Sequence, residues 1–166
     1  MLKSTTGGAT WTAVNSGLTG VPVHVLSVDP VTPTTLYAAG LLGSVFKSTD
    51  GAASWSAATN GLPFDEVTDL ASDPLTPSTL YAGLMSDGFE TVFKSTDGAA
   101  SWSATGMSQG WWVSALVVDP LTPSTLYAGT SYDVFKSTDA GATWSSTGLL
   151  HFVEALVIDP VTPSTL

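Results

Sequence analysis

The chain has 166 residues, 43% of them hydrophobic and 10% aromatic, which is ample for a packed core and too apolar for a disordered polymer. Fourteen Asp and Glu stand against four Lys and no Arg, a net charge of -10, so phosphate backbones and anionic lipid surfaces repel it and nucleic acid is excluded as a partner. There is no cysteine, hence no thiolate metal site or cysteine nucleophile, and no run approaches the ~18 apolar residues of a membrane span.

In chain order, Met1 to Val14 reads as two short strands around a Gly-rich turn, with no apolar stretch of the kind that opens a secretion signal. Residues 23–57 follow as four short apolar runs separated by Gly, Pro, Asp and Ser. The same four runs return over 67–104 and 113–147, and the first of them, with the start of the second, returns over 153–166. The stretch "VFKSTDGAASWSA" at Val45 recurs letter for letter at Val92, with variants at Val134 and Met1. A second word, "DPxTPxTL", begins at Asp29, Asp73, Asp119 and Asp159. Trp11, Trp55, Trp102 and Trp144 are spaced by 44, 47 and 42 residues.

Runs rich in Val, Leu, Phe, Tyr and Trp, with turn residues every few positions and no sustained helical period, predict an all-β fold. Four strands, A to D, per repeat of about 43 residues predict a β-propeller of four-stranded antiparallel blades. The chain then forms one domain: full blades at 23–57, 67–104 and 113–147, with one blade split between strands C and D at 1–14 and strands A and B at 153–166. Pairing of the two ends closes either four blades in one chain or eight in a homodimer, since exposed strand edges favour closure.

The word between strands C and D, complete as Ser137, Thr138, Asp139, Ala140, Gly141, Ala142, Thr143 and Trp144, resembles the Asp-box or BNR repeat. That repeat is found in sialidases, sortilin-type receptors, xyloglucan-cleaving endoglucanases and photosystem assembly factors. The resemblance covers almost the whole chain and marks Ser48, Asp50, Trp55, Ser95, Asp97, Trp102, Ser137, Asp139, Gly141, Trp144 and Trp11 as structural. It implies an extracellular or periplasmic setting, although the sequence itself does not fix the compartment. Physically the box is a hairpin turn in which the carboxylate accepts backbone N–H bonds and the Trp at the start of strand D covers the layer between blades. Thr6 replaces the carboxylate in the first copy. Ala52 and Ala99 replace the glycine in the next two, which predicts a shifted turn there.

Antiparallel strands put alternate connections at opposite ends of a sheet. The A–B and C–D words, nearly constant, therefore share one face; the variable D–A and B–C connections share the other, where recognition resides. That variable face gathers aromatic and acidic residues: Phe64, Asp65, Phe89, Trp111, Trp112, Tyr132 and Phe152 are the binding candidates, suited to a sugar ring or a peptide. Of the pair Trp111 and Trp112, strand alternation predicts that one points into the blade. Strand A lines the axis; its inward position holds Val25, Asp69, Ala115 and Ala155, making Asp69 the odd carboxylate.

Sialidase chemistry needs arginines to grip a carboxylate, and there are none. Glycoside hydrolysis needs two facing carboxylates. Asp69, Glu66, Glu90 and Glu154 are the weak candidates, and no catalytic motif connects them. His24 and His151 have no metal-ligand spacing, and no cofactor motif is present. The sequence thus reads as a non-catalytic scaffold for ligand or protein interaction, with a glycan or a peptide as the candidate ligand. Its alternatives are a carbohydrate-binding or glycoside-hydrolase-like propeller remnant and a repeat fragment without a selected function.

Overall fold

The computed structural model describes every residue except 19, 21, 87–89 and 108–110. Among the described residues fourteen strands form one hairpin and three four-stranded sheets. The hairpin pairs β1 (Leu2–Lys3) with β2 (Thr12–Ala13). The first sheet is β3 (Val23–Val28), β4 (Leu36–Gly40), β5 (Val45–Ser48) and β6 (Ser56–Ala57). The second is β7 (Glu66–Ser72), β8 (Leu80–Met85), β9 (Val92–Ser95) and β10 (Ser103–Ala104). The third is β11 (Val113–Val118), β12 (Leu126–Thr130), β13 (Val134–Ser137) and β14 (Ser145–Ser146). Each sheet is an antiparallel meander whose strands lie in sequence order.

Register is the same throughout. Tyr37, Tyr81 and Tyr127 stand opposite Lys47, Lys94 and Lys136, and every first strand carries a bulge, at 24, 68 and 114. The core lies between sheets. Tyr37, Ala39 and Val45 of the first pack on Val67, Leu70 and Trp102 around the second, while Tyr81 and Val92 of the second pack on Val113, Leu116 and Phe135 of the third. Such close stacking needs a small residue on the second strand: a Cβ at Gly83 would lie 2.5 Å from the Val113 side chain.

The two constant words do share a face. Gly51 N–H donates to Thr34 O, Gly98 N–H to Ser78 O and Ala140 N–H to Ser124 O, each at 2.8 Å, joining the C–D turn to the A–B turn of its own sheet. All four "DP" aspartates cap their own turns; Asp29 Oδ1 accepts from Val31 N at 2.9 Å and Thr32 N at 2.8 Å, and Asp73, Asp119 and Asp159 repeat this. The prolines of these turns, with Ser27, Val28, Ser72, Val118 and Ile158, surround an axial hollow of about 340 Å³.

The expected shift of the Ala52 and Ala99 turns does not occur. Gly51 and Ala52 (φ 71° and 73°), Gly98 and Ala99 (69° and 68°), and Ala140 and Gly141 (58° and 90°) adopt one conformation. An alanine in this region costs about 1–2 kcal/mol, and here its methyl group is buried beside Trp55 or Trp102.

Residues 153–166 do not form strands. Val153 N–H donates to Thr130 O at 3.0 Å, and Val153, Leu156 and Ile158 pack on Val117, Tyr127 and Val134, as β11 packs on the second sheet. A strand also needs a ladder partner, and among the described residues none lies beside this segment. Its "DP" turn forms regardless, because that turn is closed locally through Asp159.

Candidate functional site

The Ser-Thr-Asp turns are closed hydrogen-bond knots. Ser48 Oγ donates to Asp50 Oδ1 at 2.8 Å and accepts from Ala52 N at 2.9 Å; Asp50 Oδ1 accepts from Ser54 N at 2.9 Å and Asp50 Oδ2 from Ser54 Oγ at 2.5 Å. The same knot forms at Ser95, Asp97, Ala99 and Ser101 and at Ser137, Asp139, Gly141 and Thr143. The hydroxyl hydrogen bonds and the backbone N–H groups hold all three aspartates at about 2. In the first copy Thr6 Oγ1 takes the carboxylate's place, accepting from Thr10 N at 2.9 Å.

Trp55 and Trp102 are each 5% exposed and donate Nε1–H to Val14 O at 3.2 Å and Ala58 O at 2.9 Å, carbonyls of the preceding unit. They stand just before the last strand of their sheets, one residue earlier than expected. Trp144 is half-buried and turns its Nε1–H to Gly141 O of its own turn. Trp11 departs most from the expectation, at 60% exposed: among the described residues no sheet packs over its hairpin.

Asp69, the odd inward carboxylate, is engaged by backbone. Oδ1 accepts from Leu70 N at 2.8 Å and Oδ2 from Leu116 N at 2.7 Å, which ties β7 to β11. Burial raises its pKa from the ordinary carboxylate value, and these two N–H bonds oppose the rise without cancelling it. Glu66 pairs with His24 Nε2 at 3.1 Å. Glu154 is exposed, and Glu90 buries Oε2 without a hydrogen-bond donor among the described residues.

Sequence reasoning missed the bulge residues as sheet-to-sheet staples. His24 Nε2 lies 3.1 Å from Val67 O. Thr68 Oγ1 lies 2.6 Å from Val113 O and 3.0 Å from Gly83 O, and Ser114 Oγ reaches Val153 O and, at 3.0 Å, Gly129 O. A polar residue recurring one place before the inward position is the signal that marks them.

On the opposite face the variable connections touch one another. Gly43 N–H donates to Asp65 O at 2.6 Å, Ser86 Oγ to Asp65 Oδ2 at 2.7 Å, and Ser131 N–H to Trp112 O at 3.0 Å. Trp111 and Tyr132 stack at 4.6 Å between ring centroids with 14° between their planes. Both tryptophans of the pair are exposed, contrary to strand alternation, because they precede β11 and its pleat does not govern them. Phe64 and Phe152 extend further into solvent, at 88% and 61% exposed. Phe89, with Asp87, lies outside the described residues. Asp133, which follows Tyr132 in the chain, is wholly buried. Burial works to raise it, but donation from Ser146 Oγ and from the N–H groups of Val134, Leu150 and Gly148 prevails and holds it at about 2. Asp133 thereby shapes the 146–150 loop.

Solved structures show the same architecture. An ancestral GH74 enzyme is 22% identical and superposes with a TM-score of 0.71 over 96% of this chain and 21% of its own. The chain has a β-propeller fold. The GH74 enzyme of Niastella koreensis is 25% identical, with a TM-score of 0.65 over 82% of this chain and 24% of its own. YCF48 bound to D1 peptide is 14% identical, with a TM-score of 0.65 over 79% of this propeller chain and 41% of its own. The chain thus spans less than half the length of these structures. No protein-family model and no curated protein matches the sequence.

Proposed function

We propose that this propeller is a non-catalytic scaffold of the Asp-box type that takes a ligand on its variable face, around Trp111 and Tyr132. The observation that carries the reading is the division of labour between the two faces. The seven aspartates of the constant words each accept hydrogen bonds within their own turns, while the stacked Trp111 and Tyr132 stand exposed where two variable loops meet. A flat, exposed aromatic surface fits the apolar face of a sugar ring or a peptide side chain. Hydrolysis is disfavoured because Asp69 has both oxygens engaged and Glu66 is paired with His24. The likeness to GH74 enzymes supports a second reading, a carbohydrate-binding remnant of such a propeller, using the same aromatic face. The nutrient binding protein of Bacteroides thetaiotaomicron, at TM-score 0.65 and 15% identity, is a further propeller-like neighbour.

Glycan and peptide arrays probed with the wild type, Trp111→Ala and Tyr132→Ala test this. Saturable binding to one class that both substitutions abolish supports the scaffold. Binding unaffected by either substitution removes the variable face from consideration.

A further inference from the structure

Charge is divided unequally between the two faces. Seven of the fourteen acids belong to the constant words, and the four lysines stand with them. Lys47 and Lys94 donate to Gly98 O at 2.8 Å and Ala140 O at 3.0 Å, in the Ser-Thr-Asp turn of the next sheet; Lys3 donates to Gly51 O at 2.5 Å, and Lys136 keeps the same register. The other seven acids lie in the variable connections or in the strand residues that follow them, stretches that contain no lysine and no arginine. Six of them, Asp65, Glu66, Asp69, Glu90, Asp133 and Glu154, are among the described residues. A face with one sign of charge steers a partner of the opposite sign toward it.

The same face is apolar where it is not acidic. Gly43 N–H, donating to Asp65 O at 2.6 Å, holds the loop of Leu42 against that of Phe64, and Met85 stands opposite Glu66 on the ladder of β7 and β8. Leu42, Phe64 and Met85 are exposed, as are the stacked Trp111 and Tyr132. Aliphatic side chains pack on other apolar side chains, whereas a sugar also needs acceptors for its hydroxyls. The acceptors here are mostly engaged: Asp133 accepts from Ser146 Oγ and from the N–H groups of Val134, Gly148 and Leu149, Asp65 Oδ2 from Ser86 Oγ, and Glu66 pairs with His24. Glu90 is the exception. The residue is half-buried, and its Oε2 is enclosed with no donor among the described residues, so this carboxylate lacks a cation.

On the reading that the variable face binds a ligand, we propose that the ligand is a segment of another protein bearing Lys or Arg beside large apolar side chains. One cation meets Glu90, another lies over the stack of Trp111 and Tyr132, and the apolar side chains settle on Leu42 and Phe64. Neutral glycans bring no cation, and phosphate- or sulfate-bearing ones are repelled.

An array of octapeptides graded in Lys and Arg content, probed with the full chain beside a glycan array, tests the assignment. Retained peptides are expected to carry Lys or Arg together with a large apolar residue. For the strongest of them, measured in solution by fluorescence anisotropy, replacing its Lys and Arg by Gln leaves the protein untouched and weakens binding about tenfold or more. Raising sodium chloride from about 0.1 to about 1 M, which shortens the Debye length from about 10 to about 3 Å, weakens it likewise. Glu90→Gln and Trp111→Ala, with their folds checked by circular dichroism, each weaken it roughly three- to thirtyfold. Phe64→Lys also weakens it, whereas Val31→Lys, which adds the same charge to an exposed turn of the constant face, leaves it unchanged. Retention of glycans alone, or of peptides without regard to Lys and Arg, overturns the proposal, and loss of that binding in Trp111→Ala still keeps the variable face as the site. Indifference of a cationic peptide to Glu90→Gln overturns the proposal as well. Equal responses to Phe64→Lys and Val31→Lys overturn it together with the reading of the face, because the attraction then belongs to the net charge of -10 and to no particular surface. Empty arrays overturn both.

Discussion

Asp69 Oδ2 accepts the backbone N–H of Leu116 at 2.7 Å, so one side chain of the second sheet fixes the innermost strand of the third. The partner N–H belongs to a residue only 4% exposed. Asp69→Ala leaves that donor unpaired and is expected to cost about 1–3 kcal/mol. Urea denaturation measures it. A variant as stable as the wild type returns Asp69 to the list of carboxylates free for chemistry.

The pH dependence has two opposed parts. Asp50, Asp97, Asp133 and Asp139 titrate at about 2, below the unfolded value of about 3.9. Their contribution is complete above that unfolded value and is lost as pH falls through 2. Asp69 is raised, so its contribution is complete below the unfolded value and is lost as pH rises through its folded value. Urea midpoints between pH 2 and 6 should therefore drop steeply on the acid side. Asp97→Asn should flatten that drop, and Asp69→Asn should leave it in place. An acid limb unchanged by Asp97→Asn contradicts the role given to the turns.

The tryptophans separate by position although their sequence words are alike. Trp102→Ala, at a 5% exposed site with its Nε1–H bonded to Ala58 O, should cost roughly 3–5 kcal/mol. Trp11→Ala, at a 60% exposed site, should change stability by no more than about 0.5 kcal/mol. Equal losses on thermal unfolding would mean that Trp11 is covered in solution.

Gly61 meets the next sheet at φ 93°, and a Cβ there would lie 2.1 Å from Trp102 O. Gly61→Ala combines backbone strain with a collision against main chain that cannot swing away, and should cost about 2–5 kcal/mol. Gly141→Ala has a similar φ, but its nearest contact is 3.4 Å from a side chain, so the strain alone applies. Comparable losses for the two variants would show that sheet-to-sheet packing at Gly61 is looser than the structure has it.

The blades are legible in the sequence because strand and turn are set by local chemistry repeated at one period: alternating apolar runs, a capping Asp, a Ser-Thr-Asp knot. The opposition of constant and variable faces follows from strand direction alone, and the Gly51–Thr34 and Gly43–Asp65 bonds express it. What the sequence hides are relations between units. The staples of Thr68 and Ser114, the use of Asp69 to hold Leu116, and the exposure of Trp11 all depend on which sheet stands beside which. The exposure of both Trp111 and Trp112 was hidden for a different reason: the strand begins one residue after them, and a boundary decides whether alternation applies.

Hydrogen–deuterium exchange with and without the array ligand tests the central claim, that recognition belongs to the variable face, most directly. Protection is expected over 62–66, 111–113, 131–134 and 149–153, with the "DPxTP" turns unchanged. Protection confined to residues 29–35, 73–79 and 119–125 would place the ligand on the constant face and contradict the account.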